Sequence, residues 1–237
     1  MNEKELLEVI DSYQSEEYWN KVLPKRIPPI KIKKDFNIEL MEFYQSLIKR
    51  TTPFVDRWEK ELNLEHTCKA GCNHCCHQLV EIYDFELISI LTYIKQEHLE
   101  GLLNTTLTTA DYIEKNLSYS QMDIESLSDR DLLDYKMKYR ELGIPCVFLK
   151  DKKCLIYAVR PTNCATYYSY GPAEKCAQIH ELPIYCKSFG EMEDWIIDQI
   201  IAFIKYNRKK TPKGLDPFKI KILPIAIRDY LTSLKLE

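Results

Sequence analysis

Cys68-Lys69-Ala70-Gly71-Cys72-Asn73-His74-Cys75-Cys76 places four of the chain's nine cysteines within nine residues. Three more, Cys146, Cys154 and Cys164, return far downstream. Thiols this close together in a reducing environment usually hold a metal. A divalent ion needs several thiolates converging on one point, and short loops deliver them. Buried structural thiols, with cysteine acting as a small hydrophobe, are the bland alternative. Lys69, Asn73, His74 and Gln78 interleave with these cysteines, and that is not the composition of a core strand. Gly71 lets the backbone turn back and aim the side chains inward. The stretch therefore reads as an irregular metal-binding loop, and regular structure is expected in the segments around it.

Working outward, Cys146-x7-Cys154-x9-Cys164 is a weak signal alone. Joined to the first group, it supplies the ligands that close a site. Ligands drawn from two distant segments also staple the fold, because metal-binding free energy becomes folding free energy. The seven candidate ligands are thus Cys68, Cys72, Cys75, Cys76, Cys146, Cys154 and Cys164. Cys75 and Cys76 are adjacent, and successive side chains diverge. Either one is spare or the two serve different metals of a multinuclear site.

The order of these cysteines resembles the YkgJ-type cysteine-cluster family, described as a zinc- or iron-chelating domain. The resemblance rests on the first group, on Pro145-Cys146-Val147-Phe148-Leu149, and on Cys154-Leu155-Ile156-Tyr157-Ala158-Val159-Arg160-Pro161-Thr162-Asn163-Cys164. It covers about residues 68–168 and implies metal binding without a settled reaction. Ala165 stands where the family often carries Arg after the last cysteine. Cys176 and Cys186 lie outside this pattern, and both an accessory-ligand role and an ordinary thiol role stay open. His66, His74 and His77 flank the cluster and read as loop residues or outer donors rather than ligands. Arg160 is expected to bond loop carbonyls or offset thiolate charge, and Tyr167, Tyr168 and Tyr170 to pack around the site.

The flanks read as helices. An apolar stripe over residues 3–20 is followed by Pro24, Pro28 and Pro29, which break it. A second helix is expected over 37–49, and a third starts at Thr52-Pro53 and carries Val55 and Trp58. Asp84 would cap a helix running to about Glu100 and closed by Gly101, with Glu86 at its positive end. Helices are expected near 109–117 and 129–142, and a small hairpin from 147–149 and 155–157. The most apolar helix spans 191–208, and a last one spans about 224–234. The expected fold is mainly α, with an irregular cysteine-rich region and one small β-hairpin. A single domain, 1–237, would comprise a helical region 1–65, a metal-binding core 66–170 and a helical region 171–237.

The remaining composition narrows the function. Net charge is −3, so no overall positive field favours nucleic acid. The most apolar stretch, Trp195 to Ile204, is too short for a bilayer. The first residues lack the basic and apolar parts of a signal peptide, and the cytoplasm is the expected location. The cofactor expected is zinc or iron, an iron–sulfur cluster included. The alternative is an enzyme. Cys68-x3-Cys72-x2-Cys75 has the spacing of the radical S-adenosylmethionine motif, and the YkgJ-type domain resembles the cysteine-rich region of flagellin lysine methylases. That likeness implies an iron–sulfur-dependent protein lysine methyltransferase using S-adenosylmethionine. Against it stand the few glycines, 6, and the absence of an alternating βα pattern. A third class is an interaction protein whose metal only holds the helices and whose helix 191–208 and insert 77–145 meet a protein partner.

Overall fold

A computed structural model describes residues 3–11, 16–24, 27–28, 30–118, 126–177 and 185–233. Helices α1 (Glu3–Asp11), α2 (Glu16–Val22) and α3 (Phe36–Leu62) lead to the first cysteines. Strand β1 (Glu81–Tyr83) then runs into α4 (Asp84–Gln96), α5 (Leu102–Leu117) and α6 (Asp129–Glu141). The second cysteine group lies on short elements: β2 (Leu149–Lys150), β3 (Lys153–Cys154), α7 (Thr162–Ala165) and β4 (Tyr167–Ser169). The rest is α8 (Ala173–Cys176), β5 (Cys186–Ser188), α9 (Gly190–Tyr206), β6 (Ile220–Ile222) and α10 (Leu223–Ser233). The fold is mainly α-helical. Among the described residues strands occur as three antiparallel pairs, β1–β6, β2–β3 and β4–β5.

The long helix α3 anchors the core. Asp35 caps it, its carboxylate accepting from the backbone N–H groups of Asn37 at 2.9 Å and Ile38 at 3.1 Å. Leu40, Tyr44 and Leu47 on its first half and Val55 and Trp58 on its second are buried in one cluster. The two helices expected from Thr52-Pro53 are therefore one, with Pro53 inside it. An internal proline costs about 3 kcal/mol. Burying Val55 and Trp58, both 1% exposed, offsets that at about 1.5–3 kcal/mol per large side chain. Around α3 pack α4, through Phe85, Ile90 and Ile94, and α9, through Met192, Ile196, Ile200 and Phe203. Phe43 of α3 stacks on Phe203, ring centres 5.0 Å apart.

Between α2 and α3 several described backbone groups are met by side chains on α9 or at its C-cap instead of by a ladder. Gln199 Oε1 accepts from Ile27 N–H at 2.9 Å, Asn207 Oδ1 accepts from Ile32 N–H at 3.0 Å, and Trp195 Nε1 donates to the Pro24 carbonyl at 2.8 Å. A second, smaller cluster joins Ala110 and Ile113 of α5, Tyr135 and Tyr139 of α6, and Ile222 and Ile225 near the C-terminus.

Several boundaries differ from expectation. Residues 12–15 of the expected first helix lie outside the described residues. The cap of α4 is Tyr83 rather than Asp84, because Glu86 reaches back to the Tyr83 N–H at 2.9 Å. This helix stops at Gln96, with His98 at φ 54°, and Gly101 leads straight into α5. The hairpin is tighter than expected: Asp151 (φ 50°) and Lys152 (φ 59°) form a two-residue turn between β2 and β3. Two residues of positive φ suit the right-handed strand twist.

One half-buried acid on α9 adds a pH dependence. Burial first, then the negative charges of Glu86, Asp194 and Glu81, raise the Glu193 carboxyl from 4.5 to about 7. A carboxyl raised by folding favours the protonated native state, so its contribution to stability is fully present below about 4.5 and is lost as pH rises through about 7. Glu193→Gln is expected to gain on the order of 1 kcal/mol at pH 8 and nothing near pH 4.5, the partial solvent access of the site reducing the full effect. Urea unfolding at the two pH values checks this. An equal gain at both would assign the effect to packing instead of charge.

Candidate metal centre

The first cysteine group hangs on strand β4. Thr67 donates its N–H to the Ser169 carbonyl at 2.7 Å and its hydroxyl to the Gly171 carbonyl at 2.7 Å. Ser169 N–H in turn donates to Cys68 Sγ at 3.3 Å. Gly71 then takes φ 91°, and His74–His77 coil into a single 3-10 turn. Only glycine fits at 171, since a Cβ there would meet the Tyr185 side chain, its Cβ at 2.5 Å. Strand β5 lies beside β4 in a register that puts Cys186 opposite Ser169.

These elements surround a cavity of about 30 Å3, roughly the volume of one water. Cys68, Cys72 and Cys75 line it together with Cys176 and Cys186. The Cys176 thiol donates to Ser169 Oγ at 3.1 Å and lies 4.0 Å from Cys186 Sγ. His74, Gln78 and Tyr167 complete the polar part of the wall.

The second group approaches from the opposite flank. Cys146 N–H donates to the Cys76 carbonyl at 2.6 Å, tying the two groups through the backbone. The β2–β3 hairpin carries Cys154, and α7 carries Cys164. Burial pushes the Cys146 thiol up to about 12, with Cys154 and Cys75 adding repulsion. Burial likewise holds Cys164 well above the usual thiol range, with Cys146, Cys75 and Cys154 as repelling neighbours. Cys154 and Cys68 are also raised, again by burial first. Cys75 is raised by its hydrogen bond with Cys76, then by burial. Clustered, partly buried thiols thus stay neutral by themselves, whereas a bound cation inverts that preference and favours the thiolates. Among the described residues no three His, Cys, Asp or Glu side chains already stand close enough to close on an ion. The donor set itself, soft sulfur from several directions, suits zinc or iron.

Arg160 and Glu86 organise this flank. Arg160 lies over the Tyr157 ring at 4.2 Å, and its charge favours the thiolates of Cys75, Cys154 and Cys164. Its Nε is buried with no hydrogen-bond partner among the described residues, leaving one donor for a thiolate. Its carbonyl accepts from the Tyr44 hydroxyl at 2.8 Å. Glu86, 1% exposed, accepts from the Thr162 N–H at 2.7 Å, the Thr162 hydroxyl, the Tyr83 N–H at 2.9 Å and the Tyr44 hydroxyl at 2.9 Å. Burial raises its carboxyl while these donors pull it down. One carboxylate therefore fixes α7, and with it Cys164, against α3 and α4.

The other sequence candidates divide. Tyr168 and Tyr170 are buried packing residues as expected, next to Phe189 and Trp58 respectively. Tyr167 differs, since it faces the cavity. His66 pairs with Glu59 at 2.8 Å, while His74 reaches the cavity wall. Sequence reasoning missed the organising role of Glu86. Its one signal, an acid three residues into α4, is shared by many helices that bury nothing.

Among known families, the model of the CxxCxxCC family, described as "Putative zinc- or iron-chelating domain", matches residues 67–187, about half of the chain. No curated protein and no solved structure matches the chain. No helix among the described residues is long and apolar enough to cross a membrane.

Proposed function

The chain belongs to the CxxCxxCC family, and on that premise we propose that it holds zinc or iron through thiols of both cysteine groups: Cys68, Cys72, Cys75, Cys76, Cys146, Cys154 and Cys164. The observation that carries this reading is the position of Cys75. It lines the cavity beside Cys68 of the first group, and the next residue, Cys76, accepts from the Cys146 N–H of the second at 2.6 Å, so the two groups meet there. Bound there, a metal supplies charge that the clustered thiolates need and a cross-link between segments about seventy residues apart. The protein's own part is to orient the sulfurs: Thr67 and Ser169 hold Cys68, the hairpin turn sets Cys154, and Glu86 with Thr162 sets Cys164. Arg160 offsets the negative charge that ligation leaves. Thiols kept free for a metal require a reducing compartment, and the cytoplasm is the location this reading takes.

The methyltransferase alternative needs room for S-adenosylmethionine. The cavity at the first group, about 30 Å3, is far below the roughly 300–1,000 Å3 of small-molecule sites, so it does not hold that cofactor at this place. The sulfur donor set favours the structural-metal reading. Purification without oxygen, followed by metal analysis and absorption spectroscopy, tests it. Stoichiometric zinc in a colourless protein is the expected result. Iron with sulfide in a brown protein would replace zinc by an iron–sulfur cluster on the same thiols. A metal-free protein with all thiols reactive would overturn the reading.

A further inference from the structure

Nine cysteines are too many for one ion, which takes four thiolates when closed. Their arrangement falls into two neighbourhoods. The cavity beside β4 and β5 is lined by Cys68, Cys72, Cys75, Cys176 and Cys186, and Cys146, Cys154 and Cys164 are not among its lining residues. Those three neighbour one another and Cys75 on the other side. Cys75 alone belongs to both sets.

We propose that Cys68, Cys72, Cys176 and Cys186 form a second metal site, for a thiophilic divalent cation such as zinc or ferrous iron, adjoining a first site made by Cys146, Cys154, Cys164 and Cys75. The inference rests on the metal-binding reading above, divides its ligands between two sites and leaves the Cys76 thiol out of both. Three observations carry it. The Cys176 and Cys186 sulfurs lie 4.0 Å apart, near the roughly 3.8 Å edge that four sulfurs at 2.3 Å from a tetrahedral zinc define. The cavity of about 30 Å3 is large enough for an ion, because about 10–15 Å3 already holds a water. The surroundings supply donors that a thiolate uses: Ser169 N–H to Cys68 Sγ at 3.3 Å, Ser169 Oγ beside Cys176 at 3.1 Å, and the Tyr167 hydroxyl against Cys186. The antiparallel pairing of β4 with β5 builds the site, since it sets Cys186 across from Ser169 on the strand that also holds Cys68. The Cys75 and Cys76 thiols, expected to diverge, hydrogen-bond to one another instead. Cys75 stands where the two sets meet, and Cys76 contributes its carbonyl to Cys146 N–H.

The test loads the full-length protein, reduced and metal-free, with Zn2+ alone and counts ions per chain. Alkylation of unprotected thiols, read by mass spectrometry, follows in parallel. Two zinc ions per chain are expected. The Cys176→Ser/Cys186→Ser variant should fall to one, with Cys68 and Cys72 becoming reactive while Cys146, Cys154 and Cys164 stay protected. Cys146→Ser/Cys154→Ser should show the reverse pattern. One zinc in the unaltered chain, retained with full protection of the seven other thiols in Cys176→Ser/Cys186→Ser, would overturn the second site and leave the metal-binding reading standing. Loss of all zinc in that variant would mean one undivided site and also overturn the proposal. No zinc in the unaltered chain would overturn both. If the double variants fail to fold, the unaltered chain decides: with one and then two equivalents of Zn2+, protection should arrive in two separate sets of thiols. A single set protected together would sink the division.

Discussion

Glu86→Ala is expected to lose about 3–5 kcal/mol of stability, the range for removing one partner of a buried charged network. The loss has identifiable parts. Without the carboxylate, the Thr162 N–H, the Thr162 hydroxyl and the Tyr83 N–H stay buried without their acceptor. Each such orphan costs about 1–3 kcal/mol. Only Tyr44 retains a partner, the Arg160 carbonyl at 2.8 Å. Glu86→Gln keeps one oxygen acceptor and should lose less. Equilibrium denaturation in urea measures both, and metal content gives a second readout, because α7 carries Cys164. A loss below about 1 kcal/mol for Glu86→Ala would show that water or local rearrangement replaces the carboxylate and that Glu86 does not position α7.

Removing the metal with a strong chelator, or one ligand through Cys164→Ser, is the other large effect. A structural zinc contributes an apparent binding energy of about 10–16 kcal/mol in small peptides that fold only around it. Here much of the principal core, with Leu47, Trp58, Phe85, Ile196 and Phe203 fully buried, comes from α3, α4 and α9, while Cys146 and Cys154 only pack against it. The expected result is therefore split. The melting temperature falls by many degrees, while the far-ultraviolet helix signal below the transition is kept. Thiol reactivity should rise in the cysteine segments and not be accompanied by general unfolding. Collapse of the helix signal at room temperature would mean that the core depends on the metal. An unchanged melting temperature would mean that the thiols hold no structural ion.

Periodicity made the helices readable wherever one face is buried. The stripe Met192, Ile196, Ile200 and Phe203 gave α9 to within two residues at each end. The helix expected near 129–142 is α6, and the structure adds its cap, Ser128. Proline misled the reading of α3, because local preference at Pro53 yields to burial of Val55 and Trp58. Strands of three residues carry no period, so β1 with β6 and β4 with β5 went unread. Their partners are also remote, Ile82 pairing with Lys221. At the site, cysteine spacing named seven thiols, but spacing says nothing of which segments fold back together. The β4–β5 pairing brings Cys186 to the first group, and Cys176 joins it from α8; neither had a signal beyond being a cysteine. Glu86 was read as a helix-end charge because its four donors come from three separate segments.

The split of the thiols across β4 and β5 also fixes an order of events during synthesis. Chains grow at about 5–20 residues per second, so Cys76 leaves the ribosome roughly 5–20 s before Cys186 follows. Helices α4 to α6 emerge in that interval, and α9, which completes the core around α3, emerges only afterwards. For those seconds the nascent chain carries bare, closely spaced sulfurs with no scaffold to aim them. Premature oxidation would pair neighbours in sequence, such as Cys72 with Cys75, before their partners in space exist.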